Sequence, residues 1–92
     1  MFLEIVTPEA SIFQGEVESL TVPGVYGEFQ MLNNHAPIVS LLQEGKIRIK
    51  GDVNVEEEHQ EKFDSEDKTT RVLKIKSGTI ELNDNKIIIL VD

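Results

Sequence analysis

The sequence predicts an all-β fold, a small sandwich, on three observations. Apolar residues come in short alternating or continuous pieces, each piece is closed by Gly, Pro or Asn, and no stretch carries an apolar stripe of helical period. At 92 residues the chain makes one compact domain, too small for a large active-site enzyme.

The elements follow in order. Phe2 to Val6 is an apolar run with one charge, Glu4, and predicts the opening strand. Residues 12–22 read as one long strand with a bend or bulge at Gly15, stopped by Pro23-Gly24. The glycines of Pro23-Gly24-Val25-Tyr26-Gly27 supply backbone angles for a tight connection and leave Tyr26 exposed at its tip. Phe29 to Leu32 and Ile38 to Leu42 are short strands, and Gln43-Glu44-Gly45 turns the chain into Lys46-Ile47-Arg48-Ile49-Lys50, with Ile inward and cation outward. Ser77-Gly78 predicts a two-residue hairpin loop between residues 71–76 and 79–82. That hairpin sets Ile75 opposite Ile80, Leu73 opposite Leu82 and Lys74 opposite Glu81. After the Asn83-Asp84-Asn85 turn, the unalternating Ile87-Ile88-Ile89-Leu90-Val91 predicts a central strand covered on both sides.

Charge narrows the function classes. Seventeen acids against nine Lys and Arg leave a net charge of -8, which lacks the footprint needed to hold a phosphate backbone, so nucleic acid is not an expected partner. With no cysteine there is neither a disulfide framework nor a thiolate nucleophile. No apolar run nears the ~20 residues of a bilayer span, and no basic-then-apolar leader or glycosylation sequon is present, so a soluble chain without direct membrane insertion is expected. The acidity is local: from Asp52 to Thr70 there are eight acids and two lysines, read as a solvated hairpin tip inserted at about 52–70. Deleting Val55 to Lys68 is therefore expected to leave stability nearly unchanged.

Candidate chemistry is sparse. His35, in Asn33-Asn34-His35-Ala36-Pro37, fits a locally bonded turn histidine better than a proton-transfer base, because no nucleophile motif accompanies it. His59, among Glu57, Glu58 and Glu61, has the donors for an adventitious divalent ion but sits in the expected mobile tip, which does not preorganise ligands. The glycines around Tyr26 lack the Gly-Lys-Ser/Thr of a nucleotide loop. Tyr26 beside Glu28, Phe29 and Met31 has the composition of a protein contact, although Phe and Met serve equally as core. The residues alone thus point to a binding or structural module with no catalytic residue, metal or cofactor.

Taken together, Leu3-Glu4-Ile5-Val6-Thr7-Pro8, Ile12-Phe13-Gln14-Gly15-Glu16-Val17, Val22-Pro23-Gly24, Gly27-Glu28-Phe29, His35-Ala36-Pro37-Ile38 and Gly45-Lys46-Ile47-Arg48-Ile49 carry a resemblance. Their order and spacing, extended by Lys76-Ser77-Gly78-Thr79-Ile80-Glu81-Leu82 and Ile89-Leu90-Val91-Asp92, closely resemble the N-terminal domain of the epsilon subunit of the bacterial F-type ATP synthase, leaving only the acidic stretch uncovered.

The resemblance implies a flattened sandwich of about ten strands in the central stalk, gripping the gamma subunit and resting on the c-ring. Proton flow turns the ring, the stalk turns with it, and the alpha and beta subunits, which this chain serves indirectly, make ATP; the chain catalyses nothing itself. It would work peripherally at the cytoplasmic face of the bacterial inner membrane. The family's ring contact matches Tyr26, Gly27, Glu28 and Phe29, with Glu28 as the acid, and its gamma-facing positions match Thr7, His35 and Ser40. The family's C-terminal helices would start where this chain ends, at Asp92, so their inhibitory and ATP-sensing roles are not expected of it. Two rival readings are a stand-alone protein-binding adaptor and a small hydrolase using His35.

Overall fold

The computed structural model describes residues 1–92 and holds ten strands: β1 Phe2–Val6, β2 Ser11–Glu16, β3 Ser19–Gly24, β4 Gly27–Leu32, β5 Ile38–Leu42, β6 Gly45–Lys50, β7 Phe63–Asp67, β8 Thr70–Ile75, β9 Gly78–Asn83 and β10 Lys86–Val91. They form one sheet ordered β2-β1-β10-β9-β5-β3-β6-β8-β7, with β4 on the other side of β3. A sheet this long curls, and here it folds into two layers, β2-β1-β10-β9-β5 and β4-β3-β6-β8-β7, joined at the seam where Gly24 pairs with Leu42. The two ends of the curl meet at Phe13 of β2 and Phe63 of β7, whose ring centroids lie 6.4 Å apart.

Alternation builds the core. Leu3 and Ile5, Ile47 and Ile49, Ile80 and Leu82, and Ile87 and Ile89 all point between the layers and are fully or nearly fully buried. No buried side-chain polar atom lacks a hydrogen-bond partner.

Four expectations need correction. Residues 12–22 are two strands: β2 pairs with β1 in one layer and β3 with β4 and β6 in the other, and the chain crosses between layers at Val17–Glu18. The irregularity lies opposite Ile5 and Val6, where Ile12 is skipped so that Ile12 and Phe13 both reach the core, and not at Gly15. Secondly, β8 and β9 do not pair. Strand β8 bonds β6 and β7, whereas β9 bonds β5 and β10, so Ser77 lies at a crossing between layers and Lys74 never meets Glu81. The apolar residues of these strands face one another across the core instead of standing side by side.

Thirdly, β10 is central, held parallel by β1 and antiparallel by β9, but only one of its faces is covered: Leu90 is 51% exposed and Ile88 half-buried. Finally, residues 52–70 link the paired strands β6 and β8 and keep every acid in solvent, as expected, but they are not an unstructured tip. They hold a short 3-10 helix, Glu57–Lys62, and strand β7, and the segment is anchored by buried Val53 and Phe63. Two apolar anchors suffice to seat the stretch, and the acids follow its exposed edge, where charge discourages further strand pairing. The Asp84-Asn85 turn between β9 and β10 is as expected, with φ of 50° and 62° at its two residues.

Candidate protein-contact surfaces

The β3–β4 hairpin makes the first surface. Gly24 pairs with Gly27, leaving Val25-Tyr26 as the turn, and Tyr26 is completely exposed. Gly27 has φ of 119°, closed to most side chains, and a Cβ at Gly24 would stand 2.7 Å from the Phe29 ring. Of the four predicted ring-contact residues, Tyr26, Gly27 and Glu28 are exposed, while Phe29 is half-buried and packs against the core.

Glu28 is not a free acid. Arg48 Nη1 donates to its Oε2 at 2.9 Å, and Arg48 Nε donates to Glu66 Oε1 at 2.8 Å, so one guanidinium ties the hairpin to β6 and β7. The pair of carboxylates, Glu66 ahead of Glu28, raises the Arg48 pKa above its ordinary value. Val72, at the register of Arg48 and Asp64, is buried outside the core cluster, consistent with the charged side chains roofing it. Sequence reasoning missed Arg48 and Glu66; the outward position of Arg48 between Ile47 and Ile49 was the available signal.

The second surface is the outer face of the other layer. Register aligns Leu41 of β5 with Thr79, Thr79 with Leu90, and Leu90 with Val6, which makes a row across four strands. Leu41 is 64% exposed and Leu90 51%, and Val39, beside this row, is 77% exposed. Here the three predicted gamma-facing residues lie at the borders. Thr7 follows Val6, but its hydroxyl is spent within its own turn, donating to the Ala10 carbonyl at 3.1 Å and accepting from the Ala10 N–H at 3.2 Å. Ser40 stands between Val39 and Leu41 but is half-buried on the inner side, with Oγ donating to the Leu41 carbonyl at 3.1 Å.

His35 lies in the exposed loop leading into β5, its Nδ1 2.7 Å from the Ala36 carbonyl. That loop is fastened to the β9–β10 turn: the Asn34 N–H donates to Asn85 Oδ1, and Asn85 Nδ2 donates to Asn33 Oδ1, both at 2.9 Å. No nucleophile is hydrogen-bonded to the ring. The apolar row was missed by sequence reasoning, although the unalternating run 87–91 was its signal: one cover was the core and the other face stayed open.

Glu56, Glu58 and His59 bring one donor atom each within 4.8 Å of one another. His59 Nε2 lies 3.7 Å from Glu58 Oε1, and the Lys62 ammonium stands 3.3 Å from the other ring nitrogen, Nδ1.

Comparison with known proteins agrees with this architecture. The profile of the ATP synthase delta/epsilon chain beta-sandwich domain matches residues 1–92, including the acidic stretch. The ATP synthase epsilon chain of Campylobacter concisus is 38% identical over 92 residues, and the alignment spans all of this chain and 60% of that protein. The Sulfurimonas denitrificans epsilon chain is 36% identical, with 98% of this chain and 58% of the relative covered. For the Chlorobium limicola epsilon chain the identity is 34%, over 98% of this chain and 86% of that one. Among solved structures, a chain of the Tetrahymena thermophila mitochondrial ATP synthase central stalk and c-ring superposes with a TM-score of 0.77 at 16% identity, covering 99% of this chain and 62% of that one. A chain of the Euglena gracilis mitochondrial enzyme gives 0.73 at 20% identity, covering 97% and 48%. Those two likenesses concern the fold alone. A profile matched from the first residue to the last, together with relatives above 30% identity along nearly the whole chain, shows that this protein belongs to the ATP synthase delta/epsilon chain beta-sandwich family.

Proposed function

We propose that this chain is a rotor subunit in the central stalk of an F-type ATP synthase, holding the gamma subunit through the Leu41–Leu90–Val6 row and meeting the c-ring with the Tyr26–Glu28 hairpin. The observation that carries the reading is the exposed apolar row on the outer face of the sheet of a family member. Exposed Leu41 and Leu90, with Val39 beside them and half-buried Val6 at the end of the row, lose water when a complementary surface covers them, and such a contact transmits torque without chemistry. Support for the partners comes from the relatives, named as epsilon chains, and from the stalk and c-ring assembly in which a similar fold is found. The chain itself performs no catalysis in this reading. Ion flow turns the ring, and the sandwich passes rotation to gamma while the alpha and beta subunits make ATP. No helix is long and apolar enough to cross a membrane, which suits a peripheral position at the cytoplasmic face of the inner membrane.

Glu28 acts as an orienting group, since an exposed ion pair contributes under about 1 kcal/mol and the apolar face supplies most of the grip. Mixing the chain with gamma subunit and following co-elution tests the proposal. Wild type should co-elute, and Leu90→Asp should abolish the complex while leaving the melting temperature within a few degrees, because that side chain touches no core. Failure of the wild-type chain to bind gamma at low and moderate salt would falsify the assignment.

A further inference from the structure

One guanidinium serves two acids in this chain, and it reaches for both of them off the line of its own register. The row of Arg48 runs through Thr21 of β3 to Gln30 of β4 on one side, and through Val72 of β8 to Asp64 of β7 on the other. Arg48 bonds neither end of that row. Its Nη1 passes Gln30 for Glu28, two residues nearer the hairpin tip, and its Nε passes Asp64 for Glu66, two residues further along β7.

The two bonds are not equivalent. Glu66 is the residue that the β7–β8 register skips, between the pairs Ser65–Arg71 and Asp67–Thr70, and a bulge of this kind re-aims a side chain. The turn after it is closed by Asp67, which accepts the Thr69 N–H at 2.8 Å and the Thr69 hydroxyl at 3.1 Å. Glu28 instead follows a turn whose tip, Tyr26, stands fully in solvent, and its side chain is the more open of the two acids, 58% exposed against 47% for Glu66. Glu66 also leads Glu28 in raising the Arg48 pKa. When a competing cation arrives, the Glu28 end is therefore the one that opens.

Charge says what completes the group. Two carboxylates share one guanidinium, so the cluster keeps one negative charge, and it displays that charge on the hairpin. A cation that takes Glu28 leaves Arg48 behind, and an abandoned guanidinium beside the incoming charge would repel it unless a second carboxylate held it.

We propose that Glu66 is a positioning residue for the c-ring contact: it retains Arg48 through Nε while Nη1 releases Glu28, so that the freed carboxylate oxygen pairs with a basic side chain of the ring. One charge-assisted hydrogen bond breaks and one forms, and the enlarged group of two acids and two cations is neutral. This role rests on the hairpin's proposed place against the ring, and it brings into that contact a residue of the acidic stretch that the family resemblance did not cover. Asp64 supplies an internal standard, since it carries the same charge on the same strand with no bond to Arg48.

Isolated c-ring fixed to a surface, with the whole chain passed over it at low salt, provides the test. Glu66→Gln should weaken binding about threefold, because Arg48 then keeps its donors on Glu28, whereas Asp64→Asn should change binding little. The deciding form is the double variant: in the Arg48→Met background, Glu66→Gln should cost no more than Asp64→Asn does, since no guanidinium is left to hold. A merely structural role for Glu66 predicts the opposite order, with the double variant, stripped of every tie between the hairpin and β7, binding worst. Rescue by Arg48→Met keeps the result readable even where Glu66→Gln lowers the melting temperature. If Glu66→Gln matches Asp64→Asn while Arg48 is present, or weakens binding as much in the Arg48→Met background, the role of Glu66 is overturned and the ring contact stands. Absence of ring binding by wild type, with Glu28→Lys no different, overturns the ring contact and this role together.

Discussion

At the residue scale, the tightest constraints are at glycines and at small carboxylate cradles. A Cβ built on Gly78 would lie 2.5 Å from the Leu90 carbonyl oxygen, a backbone atom in the central strand that cannot swing aside. Gly78→Ala should therefore cost about 1–3 kcal/mol, read as a lower denaturant midpoint with an unchanged slope. Asp67 offers a pH test. Its carboxylate accepts the Thr69 N–H at 2.8 Å and the Thr69 hydroxyl at 3.1 Å, and the backbone N–H of Thr69 is the leading cause of a pKa below the ordinary 3.8. A depressed folded-state value stabilises the protein above the unfolded pKa and ceases to do so as pH falls through the folded one. Asp67→Asn keeps the accepting oxygen and loses the charge, so it should melt below wild type at neutral pH, and the gap should close in acid well below 3.8. A gap that persists there would show that the charge is not what Thr69 reads.

At the scale of elements, β7 shows how an acidic stretch enters a core. Phe63 is 9% exposed and closes the curl against Phe13, so Phe63→Ala should cost about 3 kcal/mol by chemical denaturation. Deleting Val55 to Lys68, expected from composition to be harmless, should instead cost more than that substitution, since it also removes the ladder to β8. Most strands were legible because alternation is a property of each segment alone: Ile47 and Ile49 face inward whatever lies beyond them. Pairing was not. The inward residues Leu73, Ile75, Ile80 and Leu82 give the same pattern whether β8 and β9 lie edge to edge or face each other across the core, and Ser77-Gly78 serves a crossing as readily as a hairpin. The hairpin tip with exposed Tyr26 was readable because paired glycines dictate a tight turn. The apolar row was not, since Leu41, Leu90 and Val6 come from three strands whose alignment exists only after folding.

For the whole molecule, the two layers carry different chemistry outward, and ionic strength should separate their contacts. One outer face is the aliphatic row of Leu41, Leu90 and Val6; the other carries Glu28, Arg48 and Glu66, with Lys46 and Lys74 paired beyond them. Salt shortens the reach of charge to about 3 Å at 1 M, but it leaves apolar burial intact, and sulfate strengthens it. A subunit held mainly by the aliphatic face should stay with gamma when sodium sulfate is raised, while the hairpin's attachment to isolated c-ring weakens and Glu28→Lys loses its effect on that attachment. Because Arg48 already occupies one oxygen of Glu28, a basic loop must share or displace it. Arg48→Met should accordingly tighten the c-ring contact at low salt, with the difference from wild type vanishing at high salt. A gamma complex that dissolves in salt as fast as the ring contact would show that charge, not the aliphatic row, holds the stalk together.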